Sequence, residues 1–256
     1  MQINGKVAVI TGGGSGIGRA VAQRLAQDGA AVLVVDVDEA GANQTVHSIE
    51  EAGGRASYVK ADVTDADQTQ RAFQAAVDQF GRFDLLHNNA GIGVGYPEFP
   101  RADLARWRRV LDIDLQAVVL GTYIAVPFME RQGGVIINTA SMAGLYPYKE
   151  DPVYAAAKAG VVNFTHSLAP WASRLNIRVN CVCPGVVDTP LVRKGVEAAE
   201  RIGRQAPLPA KLLRPEQIAQ AVVQLIVDDQ LAGRALEVRP TGVRLIEAPA
   251  APGTRH

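Results

Sequence analysis

The sequence predicts an α/β fold: one doubly wound domain on a mostly parallel seven-stranded sheet, with helices on both faces. Three observations predict it. Short runs of Val, Ile, Leu and Ala recur, apolar at successive rather than alternate positions, as in strands covered on both faces. A helical pattern separates each run from the next, as parallel crossovers require. The first run breaks into the glycine-rich turn Thr11-Gly-Gly-Gly-Ser-Gly-Ile-Gly18 and then a helix, the Rossmann arrangement.

In chain order, Val7–Ile10 is a buried strand, and Arg19–Ala26 has helical composition and ends at Gly29. Val32–Asp36 is the second strand, followed by a helix over Glu39–Ala52 that stops at Gly53-Gly54. Ser57–Asp62 and Phe83–His87 are strands three and four, around a helix at Asp65–Phe80. Asp103 to about Met129 is mostly helical, in one or two pieces, and Gly134–Ala140 is strand five. Pro152–Leu175 reads as one long helix, Ile177–Cys183 as strand six, and 190–213 as an irregular or partly helical flap. Pro215–Val227 is a helix with proline in its first turn, and Ala235–Val238 is a short last strand. Residues 1–245 thus form one domain, and 246–256 an Ala/Pro-rich tail.

Composition narrows the partners. The 256 residues are 48% apolar and 20% charged with zero formal net charge, so nothing points to nucleic acid or an anionic membrane. The most apolar stretch, Leu115–Met129, is shorter than a membrane span. No basic-then-apolar leader precedes the first strand, so no signal peptide is expected. Cys181 and Cys183 stand two apart in a strand, a spacing poorly suited to a disulfide, and two thiols make no zinc site. No metal is expected, and a reducing cytoplasm fits.

The turn from Gly12 to Gly18 exposes backbone N–H groups at a helix N-terminus, where a phosphate is held. Asp36 ends the second strand, 24 positions after Gly12, where a carboxylate meets the adenosine ribose hydroxyls. It accepts hydrogen bonds from a 2′-OH and repels a 2′-phosphate. With no Arg or Lys inside Gly12–Gly18 or just after Asp36, the expected cofactor is NAD rather than NADP.

Tyr154 and Lys158 are four apart on a helix and share a face. A tyrosine acting as a base near neutrality needs its pKa lowered by roughly 2–3 units, and an adjacent ammonium acts in that direction. Ser141, past strand five, is placed to hydrogen-bond a substrate oxygen. Asn88-Asn-Ala-Gly91 opens past strand four, on the carboxyl edge where such folds bind ligands.

With these motifs together the chain resembles the short-chain dehydrogenase/reductase family over about residues 5–238. The resemblance rests on Thr11–Gly18, Asp62-Val63, Asn88–Gly91, Ser141, Tyr154-Ala-Ala-Ala-Lys158 and Pro184-Gly-Val-Val-Asp-Thr189. It implies that Tyr154 is the acid/base, Ser141 positions the reacting oxygen, and Lys158 lowers the tyrosine pKa and binds the nicotinamide ribose. It implies cofactor contacts from Gly12, Gly14, Ser15, Gly16, Ile17 and Gly18. Asp62 and Val63 would lie at the adenine, Asn89 with Ala90 and Gly91 at the centre. Pro184, Gly185, Val187 and Thr189 would lie toward the nicotinamide end.

Two departures stand out. Asp114 occupies the position where the family usually has an Asn that holds a water in a relay from the lysine; it reads as a modified relay. Val238-Arg-Pro-Thr-Gly242 replaces the family's usual Asp-Gly-Gly ending, which weakens the expectation of the usual tetramer; a homo-tetramer or homo-dimer is expected.

Ile92–Phe99, Met142–Tyr148 and the flap after Thr189 are the expected pocket walls. Tyr96, Met142, Tyr146, Tyr148 and Leu191 among them suit a hydrophobic secondary alcohol or ketone. Arg193, Lys194, Arg201 and Arg204 in the flap are candidates for an anionic substrate group. The leading reading is an NAD-dependent dehydrogenase. The alternatives are a ketoreductase running in reverse and a weakly or non-catalytic dinucleotide sensor, for which Asp114 is the one supporting feature.

Overall fold

A computed structural model describes residues 1–93, 95, 99–206 and 208–248. The described residues form β1 (Val7–Thr11), α1 (Gly16–Gln27), β2 (Ala31–Asp36), α2 (Glu39–Glu51), β3 (Arg55–Lys60) and α3 (Ala66–Phe80). Then come β4 (Leu85–Asn88), α4 (Leu104–Leu111), α5 (Ala117–Met129), β5 (Gly134–Thr139), α6 (Pro152–Ser167) and α7 (Trp171–Leu175). The chain continues with β6 (Ile177–Pro184), α8 (Pro190–Arg201), α9 (Pro215–Val227), β7 (Ala235–Arg239) and β8 (Gly242–Ile246). The sheet order is β3-β2-β1-β4-β5-β6-β7-β8, parallel throughout except for the last pair.

Continuous apolar strands become two-faced burial. Ala8 and Ile10 with Val32 and Val34 enter the core under α1, α2 and α9. Val7 and Val9 with Leu33 and Val35 enter the core of the opposite face, under α3 and α5, with Phe73, Phe83 and Met129. Both cysteines are buried as free thiols.

Three expectations change, and one open reading is decided. The sheet has eight strands rather than seven: Arg239 pairs with Gly242 across Pro240-Thr241, and β8 folds back antiparallel on β7. Single-strand apolar content hid β8, because Gly242 to Leu245 are exposed and carry no core face. Pro152–Leu175 is two helices, since Pro170 lacks the N–H that would continue α6 and stands as N-cap of α7. The flap is partly helical, one of its two expected forms: α8 covers Pro190–Arg201, and at the flap's far end Leu213 N–H donates to Val186 O at 2.9 Å.

Finally, α4 and α5 run into each other through a π-turn at Asp112–Gln116, giving an unbroken 26-residue helix over Leu104–Met129. By length and composition alone it passes as a membrane span, so the shortness of the apolar stretch excludes nothing. It is used here as a core helix, with Val118, Gly121, Ile124, Ala125 and Met129 buried.

Candidate active site

The glycine turn is fixed by what surrounds it. Gly12 (φ +63°) lies so close to the β4 exit that a Cβ would stand 2.8 Å from Ala90 Cα. A Cβ on Gly18 would stand 2.6 Å from Asn89 Nδ2, which donates to Thr11 O at 3.1 Å and Gly12 O at 3.2 Å. Helix α1 starts at Gly16, three residues before the sequence pattern suggests. Its N-cap, Ser15, makes no side-chain capping bond, so the exposed hydroxyl and first-turn N–H groups face the groove. Thr189 closes the other side: a Cβ on Gly16 would stand 3.1 Å from Thr189 Cγ2. Such a bare-backbone cradle fits a pyrophosphate.

Asp36 belongs to the same groove. Its Oδ2 accepts from Gly14 N–H at 2.8 Å and its Oδ1 from Asp38 N–H at 2.9 Å, which fixes the carboxylate at the end of β2. Arg19 directly follows the turn. It donates to Gly14 O and, at 3.1 Å, to Thr45 Oγ1, so its guanidinium braces α1 against α2. Asp62 is more committed than expected. Burial alone would raise its pKa, but Arg109 at 2.7 Å and Thr64 hold it below the usual value.

At the centre of the edge, Thr139 joins three groups. Its carbonyl accepts from Lys158 Nζ at 2.9 Å, and its hydroxyl lies 2.8 Å from His87 Nε2 and 3.3 Å from Asn89 Oδ1. Burial pushes the His87 pKa down to about 3, so the ring is neutral. Sequence reasoning missed His87 and Thr139, as each looks like an ordinary strand residue.

Lys158, 2% exposed, forms an ion pair with the fully buried Asp114: Nζ to Oδ2 is 3.1 Å. The extra residue of the π-turn turns Asp114 inward, a distortion often found at functional sites. Asp114 Oδ1 accepts from Ile92 N–H at 2.8 Å, so one carboxylate joins the lysine to the chain beyond Gly91. Burial pushes the Asp114 pKa up against the pull of Lys158. For Lys158 burial acts against the ammonium, yet Asp114 and Tyr154 outweigh it and hold the pKa above its ordinary value.

Tyr154 stands on α6, capped by Asp151, whose Oδ1 accepts from Tyr154 N–H at 3.0 Å. Lys158 Nζ lies 5.6 Å from the Tyr154 ring centroid, and Ser141 stands near enough to the phenol to act on its pKa in the lowering direction. The 142–144 turn after Ser141 presses on α6: a Cβ on Gly144 would stand 2.6 Å from the Lys158 carbonyl. Ser141, Tyr154, Lys158 and Asp114 are therefore one cluster. The sign on the tyrosine differs from expectation. Burial pushes the Tyr154 pKa above its ordinary value, Lys158 pulls it down, and Asp114 pushes it up again. The carboxylate in place of a neutral amide offsets part of the lysine's field.

Met142 lies against Gly185, and Tyr146, Tyr148 and Leu191 are exposed at the mouth. Val187 bridges to Leu213, and Pro184 pairs with Val238 of β7. Of the flap cations, Arg193 is neutralised by Asp188 at 2.8 Å. Tyr96 lies outside the described residues.

A glycine cradle at β1 and β2, with a cluster of buried Lys158 and half-buried Tyr154 and Ser141 further along the same edge, has the layout of a dinucleotide-dependent oxidoreductase. The chain belongs to the short-chain dehydrogenase family, whose model matches residues 6–200. It is an enzyme acting on CH–OH groups with a nicotinamide cofactor. It is 38% identical over 255 residues to 15-hydroxyprostaglandin dehydrogenase [NAD(+)] of Bos taurus, covering 93% of this chain and 92% of that one. It is 43% identical over 225 residues to cis-4-hydroxycyclohexanecarboxylate dehydrogenase of Sinomonas cyclohexanicum, covering 87% and 90%. The crystal structure of levodione reductase superposes with a TM-score of 0.82 at 32% identity, covering 92% of this chain and 96% of that one.

Proposed function

We propose that the protein is an NAD-dependent dehydrogenase of hydrophobic secondary alcohols, with Tyr154 as acid/base. The observation that carries this is the Ser141–Tyr154–Lys158 cluster on the carboxyl edge beside the glycine cradle. When bound, the nicotinamide ring supplies the hydride acceptor or donor. Ser141 orients the alcohol oxygen, Tyr154 takes its proton during oxidation, and Lys158 holds the phenolate by charge. Asp114 keeps Lys158 protonated in a buried site. Gly12 to Gly18 and Asn89 hold the central phosphates, Asp62 and Val63 flank the adenine, and Val187 and Thr189 the nicotinamide end.

Asp36 supports NAD, since a fixed carboxylate accepts from a ribose diol and repels a phosphate. The NAD(+) in the name of the bovine relative agrees with that preference. Ketone reduction uses the same residues in reverse. Exposed Val119 and Tyr123 on α5, at 39% and 75%, support self-association, which sedimentation would read. The decisive experiment measures NADH formation at 340 nm on a panel of secondary alcohols with NAD and with NADP. Turnover with NAD that disappears in Tyr154→Phe is the expected result. NADH binding without turnover of any alcohol or ketone would favour the sensor.

A further inference from the structure

Beyond the acid/base cluster, the described residues hold one compact set of charged side chains at the substrate end. Along the sheet edge the proposed cofactor contacts run from β3 and β2 through β1 and β4, with Ser141 after β5 and Thr189 after β6. The next strand outward is β7. There Glu237, 1% exposed, receives Arg239 Nη2 at 2.6 Å on Oε1 and Arg244 Nε at 2.9 Å on Oε2. Arg244 Nη2 donates to Tyr146 Oη at 2.5 Å, and the Arg239 guanidinium lies 5.4 Å over the Tyr146 ring. Tyr146 belongs to the segment that follows Ser141. Gly185 N–H donates to Val238 O at 2.9 Å, and a Cβ on Gly185 would stand 3.3 Å from Met142 Sδ, so the set adjoins the expected pocket wall.

The charge count distinguishes this set from the flap. Arg193 and Asp188 cancel, whereas two guanidiniums around one carboxylate leave a single net positive charge. Burial would raise the Glu237 pKa, yet Arg239, Tyr146 and Arg244 bring it below the usual value, so the carboxylate stays ionised and fixes both forks. Arg239 and Arg244 remain 44% and 62% exposed. Neither Nη1 has a partner among the described residues. A planar fork with free N–H groups matches a carboxylate, and one net charge suits a monoanion better than a phosphate dianion.

We infer that Arg239 and Arg244, organised by Glu237 and Tyr146, bind the carboxylate of the substrate, which makes the substrates hydrophobic hydroxy or keto acids. This rests on the dehydrogenase reading above and specifies its substrate class.

The test compares cis-4-hydroxycyclohexanecarboxylate with the corresponding carboxamide, alike in shape but neutral, using the full chain and NAD. The native protein favours the acid in kcat/KM by about tenfold or more. Arg244→Gln lowers that acid-to-amide ratio about tenfold through KM, and Arg244→Lys falls between. Thermal unfolding of each variant checks that the hairpin is intact. In parallel, calorimetry follows cyclohexanecarboxylate, which has no alcohol, binding to the protein–NADH complex. Binding that weakens in Arg244→Gln supports the carboxylate site even if no alcohol is oxidised, an outcome that would sink only the dehydrogenase reading. Equal use of acid and amide, or a ratio unmoved by Arg244→Gln, overturns the inference and leaves the hairpin arginines as a structural clamp.

Discussion

The proposed acid/base is governed by a charge count of three: phenol, ammonium and carboxylate. Asp114 both holds Lys158 protonated and weakens its effect on Tyr154, which burial has already pushed upward. Charges facing the phenol are Lys158 on its own helix, Asp114 from the π-turn and Asp151 at the helix start. Alcohol oxidation needs the phenolate, so its rate rises with pH through the Tyr154 pKa. Asp114→Asn removes an influence that raises that pKa and moves the rising limb of the pH–rate profile to lower pH. A limb that stays put or moves up would show that Asp114 does not act through the tyrosine. Tyr154→Phe abolishes turnover, by 10²-fold or more, while NADH titration by fluorescence stays within about twofold. Lys158→Met leaves Asp114 buried without its cation and costs about 3–5 kcal/mol in chemical unfolding. Adding Asp114→Asn to that variant restores part of the loss. Tyr154, Lys158 and Ser141 are readable only together with the glycine turn and Asn88–Gly91 past strand four, since a lone Tyr-x-x-x-Lys is ordinarily a solvated helix pair. The pairing of Asp114 with Lys158 is not readable, because helical periodicity carries no sign of a π-turn.

Single elements differ in how openly the sequence announces them. The glycine turn is legible because Gly12, Gly14 and Gly18 stand where a Cβ would meet other atoms within 3 Å, so the residue type itself marks the close packing. Gly18→Ala brings a Cβ against Asn89 Nδ2 and the Gly12 carbonyl, so NADH affinity falls at least tenfold while thermal stability changes less than affinity. The β7–β8 hairpin is the opposite case. Val243 and Leu245 face solvent at 51% and 40%, so β8 lacks the apolar pattern that marks the other strands. What fixes it is the charge set at Glu237, which a linear reading does not connect to Tyr146, far off in sequence. Since the folded pKa of Glu237 lies below its ordinary 4.5, its stabilisation is complete above the unfolded value and is lost as pH falls through the folded one. The hairpin therefore loosens in acid, once the pH falls below the ordinary 4.5 and through the lower folded value, and earlier than the central strands. Amide exchange at Val243 and Leu245 compared with Val9 and Ile136 across pH 3–7 checks it; uniform exchange would remove Glu237 from that role.

Across the whole molecule, the sheet order separates the proposed adenosine contact from the proposed acid/base cluster. Asp36 ends β2, whereas Ser141 follows β5, with β1 and β4 between them. The doubly wound topology was legible because both strand faces are apolar, and the order of groups along the edge follows from that topology. Which end an extended cofactor occupies then makes a kinetic prediction. A change at Asp36 affects how the adenosine half is held, a contribution shared by ground and transition states, so it enters KM rather than kcat. Asp36→Asn retains an acceptor for Gly14 N–H or Asp38 N–H but removes the charge that repels a 2′-phosphate. The KM for NAD is expected to rise about tenfold, that for NADP to fall, and kcat with NAD to stay within about twofold. Parallel steady-state measurements with both cofactors check all three. A fall in kcat matching the loss in kcat/KM would mean that the β2 end is coupled to the chemical step, against the separation the sheet order implies.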